Sequence, residues 1–205
     1  MSRHFVLDFD GTLIDTDVYW QWIIQQFLEL GHDEQKIREV GEKLFPLRYT
    51  VFHHASNMGM DDHAAKALAQ RARAYVLDHH ASLIFPDVEG FFDRNTDAEK
   101  SVLTFGDESH QTERVVASGL ESYLKAIQIA SPEVSKAALL AEMLKYTTLP
   151  VMFVDDDVEQ LGMVHEQGLP IELIRMRRPG QRKSVVDHEL DHKAWRVIES
   201  FDELE

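Results

Sequence analysis

Residues 5–13 run Phe-Val-Leu-Asp-Phe-Asp-Gly-Thr-Leu: an apolar approach ending in two carboxylates one residue apart. On an extended chain Asp8 and Asp10 project to one side and Phe9 to the other. Two carboxylates at the end of a buried strand are costly unless a cation or a reacting group offsets their charge. A bound metal ion combined with covalent chemistry accounts for the pattern; a charged turn after a strand is the plainer alternative.

Three more strand ends carry polar groups. The run through Val102 and Leu103 delivers Thr104, with Gly106 just beyond. A hydroxyl and backbone N–H groups there suit anionic oxygens, although a Thr at a strand end also serves as a simple turn cap. Lys136 falls in the first turn of a helix expected from Glu133. The helix dipole disfavours a cation at that end, and a nearby anion would remove the penalty. Val151–Val154 ends in Asp155, Asp156 and Asp157. Adjacent carboxylates repel, and a hard cation with oxygen ligands relieves them. Asp157 is also well placed to cap the following helix.

Short apolar runs at His4–Phe9, Ser101–Phe105, Ala126–Ala130, Val151–Val154 and Pro170–Ile174 have to position these groups. Helical patterns at Glu113–Lys125, Glu133–Lys145 and Asp157–Gln167 separate most of them. Alternation of this kind predicts an α/β fold: a doubly wound, mostly parallel, Rossmann-like sheet that binds ligands beyond the carboxyl ends of its strands. The stretch from Asp15 to Leu83 breaks the alternation, with helical patterns at Val18–Leu30, Glu34–Leu44 and Asp61–Asp78. It predicts an all-helical cap over residues 15–85 inserted into a core of residues 1–14 and 86–205, with Leu83–Asp87 as the return linker. A lobe beside the strand ends is placed to act as a lid.

The 205 residues carry 36 acidic and 21 basic side chains, a formal charge of −15, which disfavours nucleic acid and anionic membranes as partners. No cysteine is present, which excludes disulfides and thiol catalysis. No apolar run is long enough to span a bilayer, and the first strand begins almost at once, so the expected location is the cytoplasm. His-His-Ala-Ser occurs at 53–56 and 79–82, but adjacent helical histidines do not share a face, so neither pair is read as a metal site. Arg48, His53 and His54 lie mid-lobe, where solvated helix positions are the commoner explanation. Arg175, Arg177, Arg178, Arg182 and Lys183 form a basic cluster read as a solvated loop. Asp187–Leu204 is expected to be a helix packing Trp195, Ile198 and Phe201 on the core.

Asp8-Phe9-Asp10-Gly11-Thr12, then Thr104, Lys136 and Asp155-Asp156, resemble the four ordered motifs of the haloacid dehalogenase-like superfamily, over Phe5 to about Ile174. Asp8 to Asp15 is typical of its phosphatase members, and Gln111–Leu120 resembles the helix after the second motif. The resemblance implies Asp8 as nucleophile forming an aspartyl-phosphate, and Asp10 as general acid and then base. Thr104 and Lys136 would hold the phosphoryl group. Mg²⁺ would be held by Asp8, the Asp10 backbone carbonyl and the pair Asp155 and Asp156, chiefly Asp156. At the last motif Asp155 replaces a common Gly, and Gln160 stands where many members have Asp. The implied activity is Mg²⁺-dependent hydrolysis of a small soluble phosphomonoester. The alternatives are a phosphomutase or phosphotransferase of the same superfamily, and a non-catalytic phosphate-binding regulatory protein. Nothing in the sequence sets the substrate's identity or the oligomeric state.

Overall fold

A computed structural model describes residues 2–185, 191 and 194–204. Six strands, β1 (His4–Leu7), β2 (Glu99–Phe105), β3 (Ala126–Ala130), β4 (Val151–Asp155), β5 (Ile171–Met176) and β6 (Arg196–Ile198), form one sheet in the order β3-β2-β1-β4-β5-β6. Every pairing is parallel. The chain turns to opposite sides of β1 for β2 and β4, so the end of β1 lies at a topological switch point, where ligands bind in such sheets.

Phe5, Val6 and Leu7 are all fully buried, as a central strand covered on both faces requires. Phe5 and Leu7 pack with Val102, Val154 and Ile174 against Val88, Phe91 and Phe92 of α5 (Pro86–Arg94) and against Phe201. Val6, Leu103 and Phe153 face the other way, onto Ala137 and Leu140 of α7 (Lys136–Met143) and Leu161 and Val164 of α8 (Val158–Glu166). The crossover between β2 and β3 holds α6 (Glu108–Ala117).

Four helices lie between β1 and α5: α1 (Thr16–Glu29), α2 (Glu34–Leu44), α3 (Val51–Asn57) and α4 (Asp62–His79). Asp15, Asp33, Thr50 and Asp61 cap them, each side chain accepting a backbone N–H of the first turn. They enclose an apolar cluster of their own, built on Tyr19, Trp20, Ile23, Phe27, Ile37, Leu68 and Val76. Gly41 is what lets α2 meet α1: a Cβ there would lie 2.5 Å from the Trp20 ring. The chain crosses between lobe and sheet twice, side by side. Asp15 N–H donates to Leu83 O at 2.8 Å and Phe85 N–H to Leu13 O at 3.1 Å.

Several expectations are corrected. The tail is not a helix where it is described: 196–198 is the edge strand β6 and Phe201–Glu203 a 3₁₀ turn. Trp195, Ile198 and Phe201 are nonetheless buried. Residues 187–190, 192 and 193 of that expected helix lie outside the described residues. The basic cluster is a solvated loop only in part: Arg182 and Lys183 are exposed, but Arg175 and Arg178 are not. Arg175 is buried and paired with Asp191. Arg178 is buried, pairs with Asp87 at 2.7 Å and lies over the Phe85 ring. The helix after β2 begins at Glu108 and ends before Gly119, whose φ of 80° suits glycine. The one expected from Glu133 begins at Lys136, capped by Ser135. No helix among the described residues is long and apolar enough to cross a membrane.

Candidate active site

The ends of β1, β2 and β4 converge, together with the start of α7. Asp8 follows β1, and its N–H donates to Val154 O at 2.8 Å, which ties the motif to β4. Arg178 donates to Thr12 O through both Nε (3.2 Å) and Nη2 (2.9 Å), which holds the Asp8–Thr12 turn from beneath. Lys136 reaches in from the first residue of α7. Its Nζ lies 2.5 Å from Asp8 Oδ1 and 2.7 Å from Asp155 Oδ2, and all three side chains are buried. The expected anion beside this awkwardly placed cation is therefore a pair of carboxylates.

Asp8, Asp155 and Asp156 can each offer an oxygen within 4.8 Å of the others. Their surroundings differ. Asp155 has both oxygens engaged, one by Lys136 and one by Asp157 N–H at 2.8 Å. Asp156 is buried, and its Oδ1 accepts no hydrogen bond. Lys183 Nζ stands 3.5 Å from that oxygen and 2.8 Å from Asp157 Oδ2. Asp157 caps α8, accepting Glu159 N–H at 2.9 Å. Gly11, at φ +77°, makes room for Asp156: a Cβ there would lie 2.4 Å from Asp156 Oδ2. A buried carboxylate oxygen that accepts no hydrogen bond, beside two further carboxylates, is a donor set that fits a hard divalent cation.

Burial raises the proton affinity of Asp8 and Asp155, Lys136 opposing it in both. Burial also pushes Asp156 up to about 7, although Lys183 opposes it. Asp156 therefore binds its proton more tightly folded than unfolded. Such a group favours the folded state at low pH and loses that contribution as pH rises from about 4 through about 7. Histidines with lowered proton affinity, among them the buried His54 and His80 and the half-buried His110, act oppositely in the same window, so the test is a difference. Asp156→Asn should match wild type near pH 4. It should exceed it by up to about 4 kcal/mol above pH 7, in urea unfolding without divalent metal. A difference that stays flat with pH would refute this assignment.

Asp10 goes elsewhere. Arg114, from α6, binds it with both terminal nitrogens: Nη1 to Oδ2 at 2.9 Å and Nη2 to Oδ1 at 2.5 Å. Gln111 Nε2 donates to Oδ2 at 2.9 Å and Thr16 Oγ1 to Oδ1 at 2.7 Å. Burial raises its proton affinity, but the Arg114 charge and these hydrogen bonds prevail and hold Asp10 below the usual carboxylate range. Thr104 is buried beside this group, its hydroxyl accepting Gln111 Nε2 at 3.2 Å. Asp8, Lys136, Asp155 and Asp156 thus form one cluster; Asp10 and Thr104 share a second, joined through Gln111.

Sequence reasoning missed Arg114 and Gln111 as the partners of Asp10. Arg114 follows Gln111 by three residues, one helical turn on the helix leaving the Thr104 strand, and that spacing was the available signal. His54 belongs to the lobe's core, hydrogen-bonded to Tyr49 and stacked on Trp20. Arg48 pairs with Glu133 across the gap between lobe and core.

No family model matches the chain, and no curated protein sequence matches it. Solved structures do. A haloacid dehalogenase-like hydrolase from Burkholderia xenovorans superposes with a TM-score of 0.77 at 17% identity, covering 99% of this chain and 94% of that one. A HAD-hydrolase from Bacillus subtilis, solved bound to magnesium, gives 0.68 at 11% identity, covering 99% and 96%. L-2-haloacid dehalogenase from Xanthobacter autotrophicus gives 0.67 at 19% identity, covering 100% and 97%. The chain has the fold of the haloacid dehalogenase-like hydrolases over its whole length.

Proposed function

We propose that this protein is a metal-dependent phosphohydrolase acting on a small soluble phosphomonoester. The observation that carries the reading is the buried cluster of Asp8, Lys136, Asp155 and Asp156, in which a nucleophilic carboxylate adjoins a donor set with an oxygen that accepts no hydrogen bond. Asp8 attacks phosphorus, and the ester P–O bond breaks as the leaving oxygen takes a proton from Asp10. Water then attacks the aspartyl-phosphate, giving its proton back to Asp10, and the bond from phosphorus to Asp8 breaks. Asp10 must carry a proton into the first step and none into the second: Arg114 holds it as the anion, the state the second step uses, and the negative charge of the entering phosphoester has to offset that grip for the first. Lys136 and Thr104 orient the phosphoryl oxygens. Asp8, Asp156 and the Asp10 carbonyl would hold Mg²⁺, which supplies charge neutralisation for an anionic nucleophile approaching an anionic ester.

Haloacids are the competing substrate class, since dehalogenases share the fold. An acidic cluster that calls for a cation favours the phosphoester, because displacement of halide needs none. Phosphate release from a panel of phosphomonoesters should depend on Mg²⁺ and cease with chelator. The same preparation should release no halide from 2-haloacids. Halide release without metal would overturn the reading, and phosphate transfer to added alcohols or sugars in place of water would mark a phosphotransferase.

A further inference from the structure

Arg114 is held on every side, and not only by Asp10. Its Nε donates to His80 Nε2 at 2.9 Å, and its Nη1 also donates to Gln111 Oε1 at 2.8 Å. The guanidinium lies over two rings, 5.4 Å from the Phe9 centroid and 5.3 Å from that of Tyr19. Because His80 Nε2 accepts, its proton sits on Nδ1, so the imidazole is neutral.

These partners come from two bodies. Gln111, Phe9 and Arg114 itself belong to the core. Tyr19 and Thr16 stand on α1 of the inserted lobe, and His80 opens the 3₁₀ turn His80–Leu83 that leads into the hinge. A lobe swung away would strip Arg114 of His80 and Tyr19, and Asp10 of Thr16. Only the closed lobe presents all of them.

We infer that Arg114 is the positioning residue for Asp10, and that the hydrogen bond it donates to His80 makes this alignment conditional on lobe closure. The inference rests on the phosphohydrolase reading for its kinetic test. Misplacing a proton-transfer group by about 1 Å costs on the order of 10²-fold in rate without weakening substrate binding in proportion. The network is therefore complete, and Asp10 fully aligned, only when the lobe is closed.

Four variants test it, each checked for cooperative melting. Arg114→Met should lower kcat about 10²-fold, with KM within about threefold of wild type. His80→Leu, which removes the acceptor, should lower kcat about tenfold. His80→Gln, whose amide oxygen can accept from Arg114 Nε, should return kcat to within about threefold of wild type. Arg73→Ala breaks only the exposed pair of Arg73 with Glu113, which also spans lobe and core, and should leave kcat within about twofold. In parallel, hydrogen exchange at the hinge amides of Asp15 and Phe85 should quicken in Arg114→Met and His80→Leu and stay at the wild-type rate in Arg73→Ala. Wild-type kcat in folded Arg114→Met, or equal loss in His80→Leu and His80→Gln, would overturn the inference. If Arg114→Met does not fold, the two His80 variants decide. If the wild type turns over no phosphomonoester, the phosphohydrolase reading falls by itself. Hinge exchange then decides the coupling, unchanged rates in His80→Leu overturning it.

Discussion

Asp8→Asn should lose at least about 10⁴-fold in phosphate release and melt higher than wild type. The first effect follows from chemistry: an amide oxygen cannot form the aspartyl-phosphate. The second follows from charge. Asp8, Asp155, Asp156 and Asp157 crowd around two ammonium groups, Lys136 and Lys183. Burial and the neighbouring carboxylates already drive the Asp8 proton affinity upward. Neutralising Asp8 brings the cluster nearer to balance, while Lys136 keeps Asp155 as its partner at 2.7 Å. A gain of about 1–2 kcal/mol would raise the melting temperature by a few degrees in a chain of this size. Calorimetry without divalent metal and an endpoint phosphate assay read the two effects separately. Full activity in the variant would remove Asp8 from the mechanism. A clear drop in melting temperature would show that Asp8 earns its burial structurally.

Much of this cluster was legible in the sequence because strand ends are legible. Apolar runs followed by Asp8, Thr104 and Asp155 mark where buried chain meets polar solvent, and a parallel sheet gathers such points along one edge. Hidden were the interactions whose partners lie far apart in sequence. Arg178 reads as one more surface cation until the fold sets it against Asp87 and the Thr12 carbonyl, 91 and 166 residues away. Arg114 reads as a helix-surface residue until it meets Asp10 across 104 residues. The tail misled for a different reason. Trp195, Ile198 and Phe201 recur every third residue, which mimics a helical stripe, yet they come from the approach to a short strand, its last residue and a 3₁₀ turn. The lobe's helices were easier. Asp33 precedes α2 and Asp61 precedes α4, caps that need no tertiary partner to be recognised.

Lys136→Met should act on stability with the opposite sign to Asp8→Asn while also impairing turnover. Lys136 neutralises two buried carboxylates at once, and its own proton affinity is held high, to the point that it stays charged. Burial disfavours that charge; Asp155 and Asp8 more than offset it. A methionine of similar length fills the space and leaves both carboxylates without their cation. Removing one partner of a buried ion pair costs about 3–5 kcal/mol, so melting should fall by about 10 °C. Turnover should fall about 10²–10³-fold, the usual cost of deleting one preorganised charge at a reacting centre. The deficit should also depend on pH. With Lys136 gone, Asp8 and Asp155 bind protons still more tightly in the folded state than in the unfolded chain. Folded-state carboxylates of that kind lend stability at low pH and withdraw it as pH rises, so the variant should lag wild type less at pH 5 than at pH 8. Adding Asp155→Asn to Lys136→Met removes one of the two stranded charges and should restore part of the stability and none of the activity. If Asp8→Asn and Lys136→Met both lowered the melting temperature by similar amounts, the cluster would be a balanced structural ion pair. Opposite signs are what a site built with excess negative charge requires, and a cation bound at Asp156 would be the natural complement to that excess.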